Sequence, residues 1–523
     1  MSDTLHNMDT LQYVSATHRD KSLTNQSEVS LVPALVIQNH ADLARIGDIC
    51  WIDDIPGNKI LQLARNQPDF SKNQSLIGTP LADPYLSRSP IQLTLLKNGD
   101  IKIDLANSKT QLVINGEDIS SSKVIDSELV SAGVVLELGK RVTLLLKLLP
   151  YSKTNSDSDY GMIGISPKLQ LVREKLKHLT NFDGSVLIRG ATGVGKELVA
   201  KALYDIGSRT DKPFVKVNLG AIPPSLATSE LFGVQKGAYT GADKDRKGYF
   251  AEANGGTLFL DEIGEASLEV QSLLLRVLES GEFYPVGSSK PKKVDVRLLA
   301  ATDVDLNKQC LENKFKAPLL HRLENYEINL PSLSERNEDV GLLFLHFAKQ
   351  QYSEMKKQFP QAKSETPWVS NEVVRLLLNN PWEGNIRQLK NITHQLVIDS
   401  LNSKQLILSE HLREKLKVVS NLKVETKSAR KNKRKPNTVS HEELINALKS
   451  QTWELQATAD SLNISRTSIY ELMKLYDLKS AHDLTIEEIN SSYITCDKDI
   501  DRMVSDLKVS KYGLKRRLKE LDL

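Results

Sequence analysis

Residues Ser185 to Ala200, SVLIRGATGVGKELVA, constrain this chain more than any other stretch. A short β-prone run, Val186 to Ile188, feeds Gly190-Ala191-Thr192-Gly193-Val194-Gly195-Lys196, and Glu197 to Leu203 then reads as helix. Strand, glycine loop and helix form the context of a phosphate-binding loop. Gly190, Gly193 and Gly195 permit backbone angles and close approach that a Cβ would forbid. Successive N–H groups and the helix N-terminus can then face phosphate oxygens while Lys196 supplies the cation. Glu197 stands where the general motif has Ser or Thr, so the loop alone leaves a plain glycine turn open.

A second stretch closes that alternative. Gly255-Gly256-Thr257-Leu258-Phe259-Leu260-Asp261-Glu262 is an apolar strand ending in two acids, about 65 residues beyond the lysine. A nucleotide hydrolase needs one carboxylate for Mg²⁺, here Asp261, and another to polarise the attacking water, here Glu262. The pair points to an ATPase using ATP and Mg²⁺.

With 523 residues the chain should hold three or four domains, and 26% charged with 40% hydrophobic residues is ordinary for globular protein. A net charge of +3 demands no nucleic-acid partner by itself, so such a role must rest on local clustering. Cys50, Cys310 and Cys496 lie far apart without CxxC or His-rich company, which argues against a disulfide framework or zinc site. No apolar run reaches membrane-spanning length and the N-terminus lacks a signal-peptide core. The expected setting is the reducing cytoplasm, with no membrane partner.

Residues 1–30 are polar and aperiodic, a tail without structure of its own. From 31 to 150, β-prone runs (Ala34 to Gln38, Lys59 to Leu63, Ile91 to Leu96, Asp100 to Asp104, Leu112 to Ile114, Val134 to Leu138, Val142 to Leu149) alternate with the turn pairs Pro56-Gly57, Asn98-Gly99 and Asn115-Gly116. An all-β sandwich is the simplest fold. Leu63-Ala64-Arg65, Leu86-Ser87-Arg88-Ser89-Pro90 and Val113-Ile114-Asn115-Gly116 make the region resemble a forkhead-associated domain. The resemblance implies a phosphothreonine site at Arg65, Ser87, Arg88 and Asn115. Departures are Ala64 for glycine, Pro90 for histidine and a missing first Asn of the last motif. A sandwich used only for protein contacts is the alternative.

Residues 151–161 form a Ser/Asp-rich linker, after which Ser166 and Pro167 can cap and open a helix. Between the two nucleotide motifs stand Glu230-Leu231-Phe232-Gly233 and Lys236-Gly237-Ala238-Tyr239-Thr240-Gly241-Ala242, a small-residue loop with one aromatic. Such a loop is poor core material and good contact material. With it, residues 162–415 resemble the AAA+ domain of bacterial enhancer-binding proteins that activate sigma-54 RNA polymerase, a family whose phosphate loop carries Glu after the lysine. The fold so implied is an α/β P-loop ATPase with a small helical lid from about residue 335.

Further roles follow from that resemblance alone. Gly237 to Ala242 would touch sigma-54, with Tyr where the family has Phe. Asn218 would hydrogen-bond Glu262, and Asp303 stands where the family has the asparagine that senses the γ-phosphate. A carboxylate there adds like charge, which either takes up a proton or slows hydrolysis. In Phe315 to Arg322, Arg322 and Lys316 fall where two arginines reach a neighbouring subunit of a ring, read as a hexamer. Lysine keeps the charge without the planar bidentate contact. Arg387, in Pro381-Trp382-Glu383-Gly384-Asn385-Ile386-Arg387, would sense nucleotide from the lid.

Residues 416–439 include KVETKSARKNKRKP, with seven Lys and Arg in fourteen residues, a basic linker suited to phosphate contacts on DNA. From 440 to 479 three helices are expected. Ser440 to Glu443 is a capping box, and Ala457 to Tyr470 has the turn of a helix-turn-helix, similar to the Fis-type motif that ends many enhancer-binding proteins. Ser465 would cap a recognition helix that turns Arg466, Thr467, Ser468 and Tyr470 to the groove. Leu462, Ile464, Ser465, Arg466 and Ile469 recur 45 residues on as Leu507, Val509, Ser510, Lys511 and Leu514. Residues 480–523 therefore read as a second, diverged copy whose Lys511, Lys515 and Arg516 favour the DNA backbone; a dimerisation element is the competing use.

The expected whole is a sigma-54-dependent activator that binds enhancer-like DNA and uses ATP hydrolysis in a homo-oligomeric ring to open the polymerase complex. Two alternatives stand beside it, a DNA-bound regulator with a weakened ATPase and a phosphopeptide-reading scaffold.

Overall fold

The computed structural model describes residues 31–52, 60–72, 77–96, 98–150, 159–239, 243–360, 367–416 and, with short breaks, 439–518. The expected N-terminal tail, most of the 151–161 linker and nearly all of the 416–439 basic linker lie outside the described residues. Two compact units divide at residues 420 and 421.

The first unit begins with two antiparallel sheets. One has the order β2 (Ile49–Trp51), β1 (Leu31–Asn39), β10 (Val142–Pro150), β9 (Val134–Leu138), β6 (Leu112–Ile114), β7 (Glu117–Ile119). The other has the order β3 (Leu61–Leu63), β4 (Ile91–Leu95), β5 (Ile101–Asp104), β8 (Ser122–Ile125), and α1 (Ser127–Ala132) links β8 to β9. The expected sandwich is present, with β2, β7 and β8 and the α1 turn added to the strands legible in sequence. Its core joins Leu35, Ile37, Leu136, Leu144 and Leu146 from the first sheet to Leu63, Ile91, Leu93, Ile101 and Ile103 from the second.

The first sheet is buried on its other face as well. Ala34, Val36, Val135, Leu145 and Leu149 alternate with those core residues and belong to a separate apolar cluster with Val340, Leu343, Phe344 and Leu377. Period-two alternation thus gives β1, β9 and β10 two dry faces, and the second is closed by helices from residues 340–379.

Those helices follow a parallel α/β domain. Ser166 Oγ accepts from Leu169 N and Pro167 opens α2 (Pro167–His178), as the sequence predicts. Next come β11 (Val186–Arg189), α3 (Lys196–Asp205), β12 (Phe214–Asn218), α4 (Pro224–Phe232), α5 (Tyr249–Glu252), β13 (Thr257–Asp261) and α6 (Leu268–Ser280). The short pair β14 (Glu282–Phe283) and β15 (Lys292–Lys293) precedes β16 (Arg297–Thr302), α7 (Leu306–Leu311), α8 (Ala317–Leu323) and β17 (Tyr326–Asn329). The five long strands are all parallel, in the order β12-β13-β16-β11-β17. Their fully buried residues, such as Val186, Ile188, Leu258, Leu260 and Leu299, need helices on both faces, which α2 and α3 on one side and α4, α6 and α8 on the other provide. A 3-10 segment, Leu333–Asp339, leads into the lid helices α9 (Val340–Glu354), α10 (Asn371–Asn379) and α11 (Asn385–Asp399).

The second unit holds helices His441–Ser450, Leu455–Ser461, Arg466–Leu475, Ile486–Thr495 and Ile500–Leu507. Their starts repeat the 45-residue interval: Ser440 Oγ caps Glu443 N, and Thr485 Oγ1 caps Glu488 N in a capping box. Leu444 matches Ile489, Ala459 matches Val504, Ile464 matches Val509 and Ile469 matches Leu514, all buried in one cluster.

Candidate functional site

The parallel order places β11 between β16 and β17, so the turn after β11 opens at the carboxyl edge of the sheet. Gly193 and Gly195 have φ of +78° and +107°, the left-handed region that favours glycine. Gly193 is also fixed by space: a Cβ there would stand 2.5 Å from Gly384 O and 3.1 Å from Arg387 Cβ. The lid is bonded to the loop at that point, through Ile386 N to Gly193 O at 3.0 Å and Asn385 Nδ2 to Thr192 O at 3.0 Å. Gly190 N ties the loop's start to Thr302 O of β16, and Lys196 Nζ donates to Gly190 O at 2.9 Å.

Around this loop lies a cleft of about 700 Å³. Thr192, Gly193, Val194, Gly195, Lys196 and Glu197 line it from the loop, Asp261, Glu262 and Asp303 from the strand ends, and Arg387 from the lid. Most of the sequence-predicted nucleotide residues therefore converge on one cleft, where cations and carboxylates both line the walls. Lys201, Lys216, Arg336, His346 and Lys390 also line the cleft and were not singled out in sequence. Lys216 sits mid-strand and donates to Glu197 Oε1 at 2.6 Å, a pairing visible only once β12 and α3 are side by side.

The acids occupy distinct positions. Asp261 ends β13, where Oδ1 accepts from Glu262 N at 3.0 Å, and Glu262 adopts φ +56°, turning the chain sharply after the strand. Among the described residues no cluster of three or more His, Cys, Asp or Glu side chains could hold a metal. A divalent cation at Asp261 would therefore take most of its ligands from phosphate oxygens and water, the usual arrangement for Mg²⁺. Asp303 does not stand free in the cleft, for its Oδ2 accepts from Thr192 Oγ1 at 2.5 Å, a direct bond between strand end and phosphate loop.

Two expectations, for Asn218 and for Asn115, meet a different geometry. Asn218 makes no hydrogen bond to Glu262; its Oδ1 accepts from Ala221 N at 3.2 Å and caps a 3-10 turn. The two side chains approach the same glycine, since a Cβ on Gly220 would meet Glu262 Oε2 and lie 3.3 Å from Asn218 Oδ1. Lys316 and Arg322, at the start and end of α8, do not line this chain's cleft; Arg322 is half exposed and 3.7 Å from Glu279 Oε1. In the sandwich, Arg65 and Ser87 are joined by Arg65 N to Ser87 O at 3.0 Å, with Arg88 exposed beside them. Asn115 lies at the far end of β6, where its Oδ1 accepts from Val135 N at 2.9 Å. The adjoining Gly116 packs on Arg375 of the lid, so Asn115 does not join the other three.

The loop expected to contact sigma-54 leaves the domain between α4 and α5. Its base is pinned by Val234 pairing with Arg246 and Val286 and by Lys236 N donating to Asp245 Oδ1 at 2.7 Å. Beneath it Phe232 and Phe250 stack with centroids 5.3 Å apart. Ala238 packs against Gly287 and Tyr239 is 56% exposed, while Thr240, Gly241 and Ala242 lie outside the described residues. In the second unit Arg466, Thr467, Ser468 and Tyr470 fall on helix Arg466–Leu475, whose Ile469, Leu472 and Met473 are buried. Ser465, Lys511, Lys515 and Arg516 lie outside the described residues.

Comparison with known proteins bears on the motor alone. Residues 162–329 match the sigma-54 interaction domain, and residues 334–430 match the AAA+ ATPase lid domain. The DNA-binding transcriptional regulator NtrC of Salmonella typhimurium is 45% identical over 246 residues, 47% of this chain and 51% of that protein. The anaerobic nitric oxide reductase transcription regulator NorR of Citrobacter koseri is 37% identical over 334 residues, 61% of this chain and 64% of its own. NtrX from Brucella abortus in complex with ATP is 27% identical with a TM-score of 0.45, covering 60% of this chain and 69% of that one. The chain thus spans about half to two thirds of these relatives' length. The sandwich and residues 439–518 lie outside both family matches. Residues 162–430 are a sigma-54 activator AAA+ domain with its lid, homologous to the corresponding part of NtrC- and NorR-type regulators.

Proposed function

We propose that the chain is an ATP-driven transcription activator that remodels sigma-54 RNA polymerase from DNA-bound, ring-shaped assemblies. One observation carries the reading: a phosphate loop, two strand-end acids and a lid arginine share one cleft, while the loop bearing Tyr239 leaves the same domain outward. Lys196, Arg387 and the loop N–H groups would bind the nucleotide's phosphates, and Glu262 would hold a proton-accepting oxygen near the attacking water. Mg²⁺, at Asp261, would supply charge neutralisation between the phosphates. Lys316 and Arg322 do not line this chain's own cleft, which leaves them available to serve a neighbouring subunit. The helices of residues 441–475 and 486–507 would carry the chain to DNA, and the sandwich would take a signal, with a phosphothreonine at Arg65, Ser87 and Arg88 as one form of it.

Regulation with a weakened ATPase is the second reading, favoured by the Asp303 to Thr192 bond and by Lys316. Thr240→Val tests the first. ATP turnover should stay within about threefold of the parent, because the substitution is nearly isosteric and remote in sequence from every phosphate contact. Sigma-54 binding trapped by a γ-phosphate mimic, and open-complex formation, should be lost. Activation equal to the parent's would refute the contact.

A further inference from the structure

One wall of the nucleotide cleft is backed by the β-sandwich. Residues 333–347 run from the end of β17 into α9 with two working sides. On one side Arg336 reaches the phosphate loop, Nη2 donating to Val194 O at 3.2 Å, and Leu343, His346 and Phe347 line the cleft. Asp339 steadies this side: its carboxylate accepts from Ile165 N at 2.6 Å, Ser166 N at 2.8 Å and Ser166 Oγ at 2.7 Å, and it lies 3.9 Å from Arg336 Nη1.

The other side is held by the sandwich. Lys147 of β10 donates from Nζ to Glu338 Oε2 and to Asn337 Oδ1, both at 2.6 Å. Gln38 of β1 brackets the same turn, its Nε2 donating to Glu338 O at 2.9 Å and its Oε1 accepting from Gly341 N at 3.0 Å. Gly341 has no room for a side chain, since a Cβ would stand 2.8 Å from Gln38 Oε1 and 2.9 Å from Gln38 O. Asn39 Nδ2 donates to Val369 O at 3.0 Å, and Glu137 pairs with Arg375. Gln38, Asn39, Lys147, Glu338 and Asp339 are all buried, Asp339 completely. Buried polar groups with all partners in place fix one geometry and penalise every other.

We propose that the sandwich is a structural part of the nucleotide site, with Lys147 and Gln38 as positioning residues that act through Glu338 and Gly341 on Arg336 and the wall of the cleft. This rests on the ATPase reading. Loss of the Lys147 ammonium leaves Glu338 buried without its cation, and the cheapest relief is displacement of the sandwich together with rotation of 333–347, which withdraws Arg336 from Val194 O. Nucleotide affinity then depends on whether the sandwich is seated, and whatever binds the sandwich elsewhere works on ATP through this segment.

The test uses the full chain with Mg²⁺ and a fluorescent ADP, alongside steady-state ATP hydrolysis and thermal melting. Lys147→Met should weaken ADP binding and raise KM about tenfold, within the usual range of coupling between linked sites. Its kcat should change less than about twofold, because the acids at Asp261 and Glu262 are untouched. Lys147→Arg, which can still pair with Glu338, should restore affinity. Gly341→Ala alters no charge and should reproduce the loss by displacing Gln38, which separates positioning from a simple charge effect. If Lys147→Met and Gly341→Ala melt cooperatively and bind ADP as the parent does, the proposal falls. A parent that binds no adenine nucleotide overturns the ATPase reading and this inference with it.

Discussion

Asp303→Asn isolates the charge that sets this cleft apart. Asp303 Oδ2 accepts from Thr192 Oγ1, and an asparagine oxygen can keep that bond, so the substitution removes one negative charge and little else. The same cleft holds Asp261 and Glu262 and would receive a polyphosphate. Two unit charges about 5 Å apart at an effective dielectric near 20 repel by roughly 3 kcal/mol. Asp303 is exposed, and Lys196 and Arg387 offset part of the field, which brings the net effect to about 1 kcal/mol. ATP affinity should therefore tighten about fivefold in the variant. Titration with fluorescent ADP and ATP at low and high salt measures it, with the gain larger for ATP and shrinking as salt rises. Equal or weaker ATP binding at low salt would refute the argument and make the carboxylate a needed anchor for Thr192.

Two further outcomes follow from the same geometry. Glu262→Gln should still bind ATP while turnover falls at least about 100-fold, the lower range for loss of a positioned base; steady-state rates at saturating ATP decide it. Burial and the Glu338 carboxylate push Asp339 up to about 6, against the pull of Arg336, Ser166 Oγ and Ile165 N. A carboxyl raised in the folded chain favours folding while protonated, so its contribution is present below the ordinary carboxylate range and is lost as pH rises through about 6. Between about pH 5 and pH 7 the parent's melting temperature should therefore fall relative to that of Asp339→Asn, and parallel curves would rule out this titration.

What could be read from residues alone was whatever local chemistry dictates. The phosphate loop, the strand ending Asp261-Glu262 and the Ser166-Pro167 helix start each fix a backbone shape within a few residues, and each stands where expected. Partnerships between distant segments were not legible. Asn218 caps its own turn because Ala221 N is three residues away, a nearer partner than Glu262. Asn115 answers Val135 because β6 and β9 pair there. The family-derived role of Asp303 said nothing of Thr192, 111 residues earlier in sequence.

One cue to the larger assembly was present all the same. Strands of a solvated antiparallel sheet alternate apolar and polar residues, whereas Ala34-Leu35-Val36-Ile37 and Val142 to Leu149 run apolar on both phases. Such strands in a sandwich need a cover for the second face. Lys147, the lone charge in the latter run, marks where that cover meets the sheet, for a buried ammonium needs an anion and Glu338 of the lid provides it. The second unit follows the same logic: each 45-residue copy contributes small sets such as Leu444, Ile464 and Ile469 or Ile489, Val509 and Leu514, and these join in one cluster. A few short helices bury too little to stand securely alone, so duplication gives each copy the other's apolar face as its cover.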